Sequence, residues 1–66
     1  MNNILSYNHS VLFTEGSSFS ERESLLNKEI LKLQETLRNR GFYPLGHEIL
    51  NKNNTKATVS MAYKVK

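Results

Sequence analysis

The chain has no cysteine, no aspartate, a single proline (Pro44) and only three glycines. Without cysteine, disulfides and thiolate zinc sites are excluded. Without aspartate, and with His9 and His47 far apart in sequence, a structural metal is not expected. No apolar run approaches the ~18 residues of a membrane span, so no membrane contact is expected. No basic segment followed by an apolar one opens the chain, so no secretory leader is expected. The absence of cysteine agrees with a reducing compartment, and the location read from the sequence is cytoplasmic.

Catalytic patterns are missing as well. There is no G-x-S-x-G, phosphate-binding loop, G-x-G-x-x-G, H-E-x-x-H or C-x-x-C. His9 and His47 are candidate general bases. Both fall on the apolar-facing phase of their segments, where a structural histidine is the commoner occupant. Glu48 forms no dyad with His47, because neighbouring strand residues point to opposite faces. The sequence therefore reads as a non-enzyme without a cofactor.

The 66 residues suffice for one domain, spanning 1–66, with one thin core. At this size a core rarely supplies more than about 3–5 kcal/mol. With disulfides and metals set aside, oligomerisation or partner binding is the expected supplement. The net charge of +3 is unevenly spread. Residues 1–37 hold Arg22, Lys28 and Lys32 against five glutamates. Residues 38–66 hold Arg38, Arg40, Lys52, Lys56, Lys64 and Lys66 against Glu48 alone. An anionic partner would be drawn to the C-terminal part. The wealth of Asn and Lys is typical of AT-rich genomes and fits a bacterial or phage source.

Four elements follow from periodicity. From about 4 to 14, Leu5, Tyr7, His9, Val11 and Phe13 alternate with polar residues, as in a half-buried strand, the alternative being a turn at Asn8-His9-Ser10 that splits it. Thr14 to Ser18 is a loop by its turn chemistry. A helix is expected from about 20 to 40. Ser20 and Glu23 fit a capping box, and Ser18 with Glu21 offers the same pattern two residues earlier. At 100° per residue Phe19, Leu26, Ile30, Leu33 and Leu37 lie within about 40° of one line. Gly41 suits the left-handed position beyond the helix end. Leu25 widens the apolar stripe. Leu31 lies about 140° away from it and reads either as a lone exposed leucine or as a contact with another chain.

A strand from about 43 to 50 is weakened by Pro44 and Gly46, which place it at an edge. Asn51 to Thr55 supplies a turn. The most regular strand runs from about 56 to 65, with Ala57, Val59, Met61, Tyr63 and Val65 on one phase.

The fold class is therefore α+β: β-α-β-β, one amphipathic helix packed on a small three-stranded, mostly antiparallel sheet with the last strand in the middle. The helix is expected over Leu5, Tyr7, Val11, Phe13, Leu45, Ile49, Val59, Met61 and Tyr63. This order resembles dodecins in topology alone. The tryptophan that dodecin flavin binding relies on is missing, so no flavin site is carried over.

One sheet face remains uncovered. It is expected to carry Lys56, Thr58, Ser60, Lys64 and Lys66, with Ser6, Asn8 and Ser10, and with Leu12, Leu50 and Phe42 as scattered apolar positions. Solvation is the plain reading of such a face. The alternatives are a sheet-to-sheet oligomer or a docking surface. The lysines also suit protection of an exposed strand against aggregation. Tyr7, Tyr43 and Tyr63 are expected on the helix-facing phase of three strands, as ordinary core residues or as the wall of a small ligand pocket.

The expected function is that of a small non-enzymatic interaction protein, of the regulator or inhibitor kind, binding a protein partner through the lysine-bearing face, with Leu31 as the alternative interface. The first rival is a basic nucleic-acid-binding module, although aromatic stacking platforms are not expected on the open face. The second is a homo-oligomer that sequesters a small ligand near the tyrosines.

Overall fold

The computed structural model describes residues 4–65. Strand β1 spans Ile4–Leu12, helix α1 Phe19–Asn39, β2 Phe42–Lys52 and β3 Lys56–Val65. The sheet order is β1-β3-β2, with β3 antiparallel to both neighbours. This is the expected α+β arrangement, one helix on a three-stranded sheet.

The helix begins two residues before the Ser20 capping box would place it. Ser18 is the N-cap: its hydroxyl accepts from the Glu21 amide (3.2 Å), and the Glu21 carboxylate accepts from the Ser18 amide (3.0 Å). Both patterns satisfy the same orphan donors. The Ser18 frame also lets the Arg22 guanidinium donate to the Ser17 carbonyl, tying the loop to the first turn. At the other end Gly41 has φ +89°, a conformation a Cβ would strain.

Val11, Phe13, Leu26, Ile30, Leu37, Ala57, Val59 and Met61 form the core, with Leu25, Leu33, Phe42 and Tyr63 packed around it. Of the expected stripe, Phe19 is the exception: it opens the helix and is 64% exposed, with the Lys52 ammonium 5.2 Å from its ring centroid. Leu5, Tyr7, Leu45 and Ile49, expected beneath the helix, are exposed as well. The helix lies mainly over β2 and β3, so the outer half of β1 receives little cover.

Two irregularities in β2 account for the remaining departures. The β2–β3 register shifts between Pro44 and Gly46, and again between Ile49 and Asn51. Each inserts one unpaired residue, Leu45 and Leu50 in turn. A shift of one residue exchanges the faces of all that follow. Phe42, expected on the open face, pairs with Val65 and packs edge-on against Tyr63 at 5.1 Å on the helix side. Tyr43 consequently lies on the opposite side.

The β2–β3 turn is closed by a backbone bond, the Asn53 amide donating to the Lys56 carbonyl at 2.9 Å, and by the Asn53 side chain. Asn53 Oδ1 accepts from the Thr55 amide, the Thr55 hydroxyl and the Lys56 amide at 2.8, 2.7 and 2.9 Å. The Phe13 amide donates to the Thr55 carbonyl, joining the end of β1 to this turn.

Candidate functional site

Residues opposite one another in an antiparallel ladder share a face, so the register builds the open side row by row. Lys64 stands between Ile4 and Tyr43. Ala62 stands between Ser6 and Gly46, Ser60 between Asn8 and Glu48, and Thr58 between Ser10 and Asn51. Lys56 faces Leu12. The middle of the face is a floor of small and hydroxyl-bearing side chains. A shallow depression over this floor is lined by Gly46, Glu48, Ser60 and Ala62. Each end carries a lysine beside an apolar group: Lys64 with Ile4 and Tyr43, Lys56 with Leu12.

Four of the five residues expected to bind a partner, Lys56, Thr58, Ser60 and Lys64, therefore share this face. Lys66 lies outside the described residues. Tyr43 is an addition that the alternation did not reveal. Its ring lies 5.9 Å from the Lys64 ammonium, within cation–π reach. The expectation that the tyrosines face the helix is thus corrected for Tyr43, which takes the open-face place expected of Phe42.

The same finding dissolves the three-tyrosine wall. Tyr63 pairs with Leu5 and Pro44 on the helix side, and Tyr7, opposite Met61, is its diagonal neighbour there. Tyr43 is separated from both by the sheet.

The basic block of residues 38–66 is divided by the fold. Arg38 and Arg40 stand at the helix end, favourably placed for its dipole. Lys52 forms an ion pair with Glu23 and covers Phe19. Among the described residues of the block, only Lys56 and Lys64 reach the open face. On the other side of the sheet, His9 Nε2 lies 3.7 Å from a Glu29 carboxylate oxygen, and His47 is an exposed residue opposite Met61. The two histidines converge on no common centre, and among the described residues no three His, Cys, Asp or Glu side chains are grouped to hold a metal.

Leu31 is 65% exposed on the outward side of the helix. No helix among the described residues is long and apolar enough to cross a membrane. No family model, curated protein or solved structure matches the chain.

Proposed function

We propose that this protein is a small non-enzymatic interaction protein, of the regulator or inhibitor kind, which binds an acidic protein surface through its open sheet face. The observation that carries this reading is the Lys64–Tyr43 pair at one end of a face whose other end bears Lys56. The Tyr43 ring supplies the aromatic contact area that interface anchors favour, and the ammonium beside it supplies charge. The lysine stems can cover apolar neighbours while their charges steer an acidic partner. The amino-acid inventory, without Cys or Asp, supports a binding role over a catalytic one.

The test is comparative capture. Wild-type protein, the double variant Lys56→Glu/Lys64→Glu and Leu31→Glu are each used as bait under identical conditions. A partner retained by wild type and Leu31→Glu, and lost with the double reversal, supports the open face. Loss with Leu31→Glu alone transfers the function to the back of the helix.

Tyr43 also favours a second reading, single-stranded nucleic acid stacking on that ring with Lys64 against a phosphate. Fluorescence anisotropy with single-stranded and duplex probes at two salt concentrations separates the two. A phosphate-driven contact weakens steeply as salt rises; no binding at low salt removes this reading.

A further inference from the structure

The two edges of the sheet are built differently. β2 forms one edge and carries Pro44, Gly46, two register shifts, Glu48 and Lys52. Proline, bulges and charges are the devices that blunt an edge against further pairing. β1 forms the other edge. Its nine residues contain no Lys, Arg, Asp or Glu, no proline and no glycine, and they pair with β3 without a register shift. No strand among the described residues pairs with the outer side of β1. Leu5 and Tyr7 are 46% and 48% exposed on its helix side, and Ile4 and Leu12 are exposed on its open side. A regular, uncharged edge flanked by apolar side chains is a template for another strand.

The order of residues in β1 indicates which strand. Folded back on itself about Asn8, the segment ILSYNHSVL matches like with like. Asn8 meets Asn8, Tyr7 meets His9, Ser6 meets Ser10, Leu5 meets Val11 and Ile4 meets Leu12. An isologous two-fold contact demands this self-complementarity, because every pair off the axis occurs twice. The faces agree as well. Leu5, Tyr7, His9 and Val11 share the helix side, while Ser6, Asn8 and Ser10 share the open side. A chain of net charge +3 repels its own copy, and this uncharged strand lets two copies approach with little added repulsion.

We propose that the outer edge of β1 binds a second copy of this chain, antiparallel about a two-fold axis at Asn8, so that the two sheets become one. Tyr7 and His9 already stack within one copy, with ring centroids 6.4 Å apart. In the dimer each also stands opposite its counterpart, giving a cluster of four rings on the helix side. The apolar pairs Leu5–Val11 and Ile4–Leu12 flank it on the two faces.

The absence of native cysteine makes the register testable. Opposed Cα atoms in an antiparallel ladder lie roughly 4.5–5.5 Å apart, within disulfide reach. Asn8→Cys should therefore cross-link two copies under mild oxidation. The two Ser6 residues would stand four positions apart along the ladder, on the order of 13 Å, so Ser6→Cys should not. Wild type should show a concentration-dependent dimer in sedimentation equilibrium. Asn8→Lys, which brings two like charges together at the axis, should weaken that dimer several-fold with an unchanged circular dichroism spectrum. Amide exchange on the unmodified chain gives an independent measure: alternate β1 amides should be protected in concentrated solution and lose protection on dilution. A wild-type monomer at millimolar concentration overturns the proposal. So does a dimer in which Asn8→Cys cross-links no faster than Ser6→Cys, or a β1 edge protected only when a different protein is added.

Discussion

Lys64 and Tyr43 face each other across the β2–β3 ladder, with the ammonium 5.9 Å from the ring centroid. The pair exists because the irregularity at Leu45 sets Phe42 towards the helix and Tyr43 towards the open side. An exposed cation–π contact contributes about 0.5–1 kcal/mol. Tyr43→Ala, which removes this contact and a half-exposed ring, should lower stability by about 1–2 kcal/mol while reducing partner capture as strongly as Lys64→Glu. Chemical denaturation alongside the capture assay checks both halves. A large stability loss would mean that Tyr43 supports the fold rather than a contact.

The depth of burial ranks the helix substitutions. Leu26 is 2% exposed and belongs to the same buried cluster as the β3 residues Val59 and Met61. Leu26→Ala should cost about 2–5 kcal/mol, enough to unfold much of a domain this small. Leu33 shares the stripe but is only partly buried, so Leu33→Ala should cost less. Leu31→Ala should stay within about 0.5 kcal/mol of wild type. Urea midpoints across the three variants test the order, and a Leu33 effect exceeding that of Leu26 would contradict the packing described.

Much of this architecture was legible because periodicity reports faces directly. The alternation of Ala57, Val59 and Met61 located the central strand, and the 3.6-residue repeat of Leu26, Ile30 and Leu37 located the helix. What escaped was the phase of β2. Phe42 and Tyr43 are adjacent and both aromatic, so alternation alone cannot say which faces inward. Pro44 and Gly46 signalled an irregular strand, but a bulge is fixed by pairing with β3, which lies beyond local sequence. The exposure of Leu5 and Tyr7 escaped for a similar reason. Their phase was right, but how far a helix extends over an edge strand is a property of packing. The candidate surface was consequently half legible: its lysines and hydroxyls followed from β3, and its aromatic ring did not.

In the β2–β3 turn one carboxamide oxygen supplements the backbone bond from the Asn53 amide to the Lys56 carbonyl. Asn53 Oδ1 accepts three hydrogen bonds, from Thr55 and Lys56. Exposed hydrogen bonds contribute about 0.5–1.5 kcal/mol each at most, and these three share one acceptor. Asn53→Ala should destabilise the protein by about 1–2 kcal/mol. Asn54→Ala, beside it, should have little effect. Thermal melts of the two variants distinguish a turn held by the side chain from one held by the strands alone.

The capping box makes the start of the helix sensitive to acid, and its sign can be worked through. The Ser18 amide, then the Ser18 hydroxyl, hold the Glu21 carboxyl below its ordinary value of 4.5. A carboxylate favoured in the folded state adds stability that is fully present above the unfolded pKa. That contribution is lost as pH falls through the folded pKa. Ser18→Ala should cost about 0.5–2 kcal/mol at neutral pH, whereas Ser20→Ala, inside the helix, should change little. Glu21→Gln retains a side chain able to accept from the Ser18 amide but removes the charge. It should be less stable than wild type at neutral pH and converge with it once pH has fallen below the lowered pKa of Glu21. Because every other residue is common to both proteins, the difference between the two denaturation series isolates Glu21. In the Ser18→Ala background, Glu21→Gln should have a smaller effect, since the two side chains act as one unit. A gap between wild type and Glu21→Gln that persists unchanged into acid would show that the carboxylate charge plays no part in starting the helix.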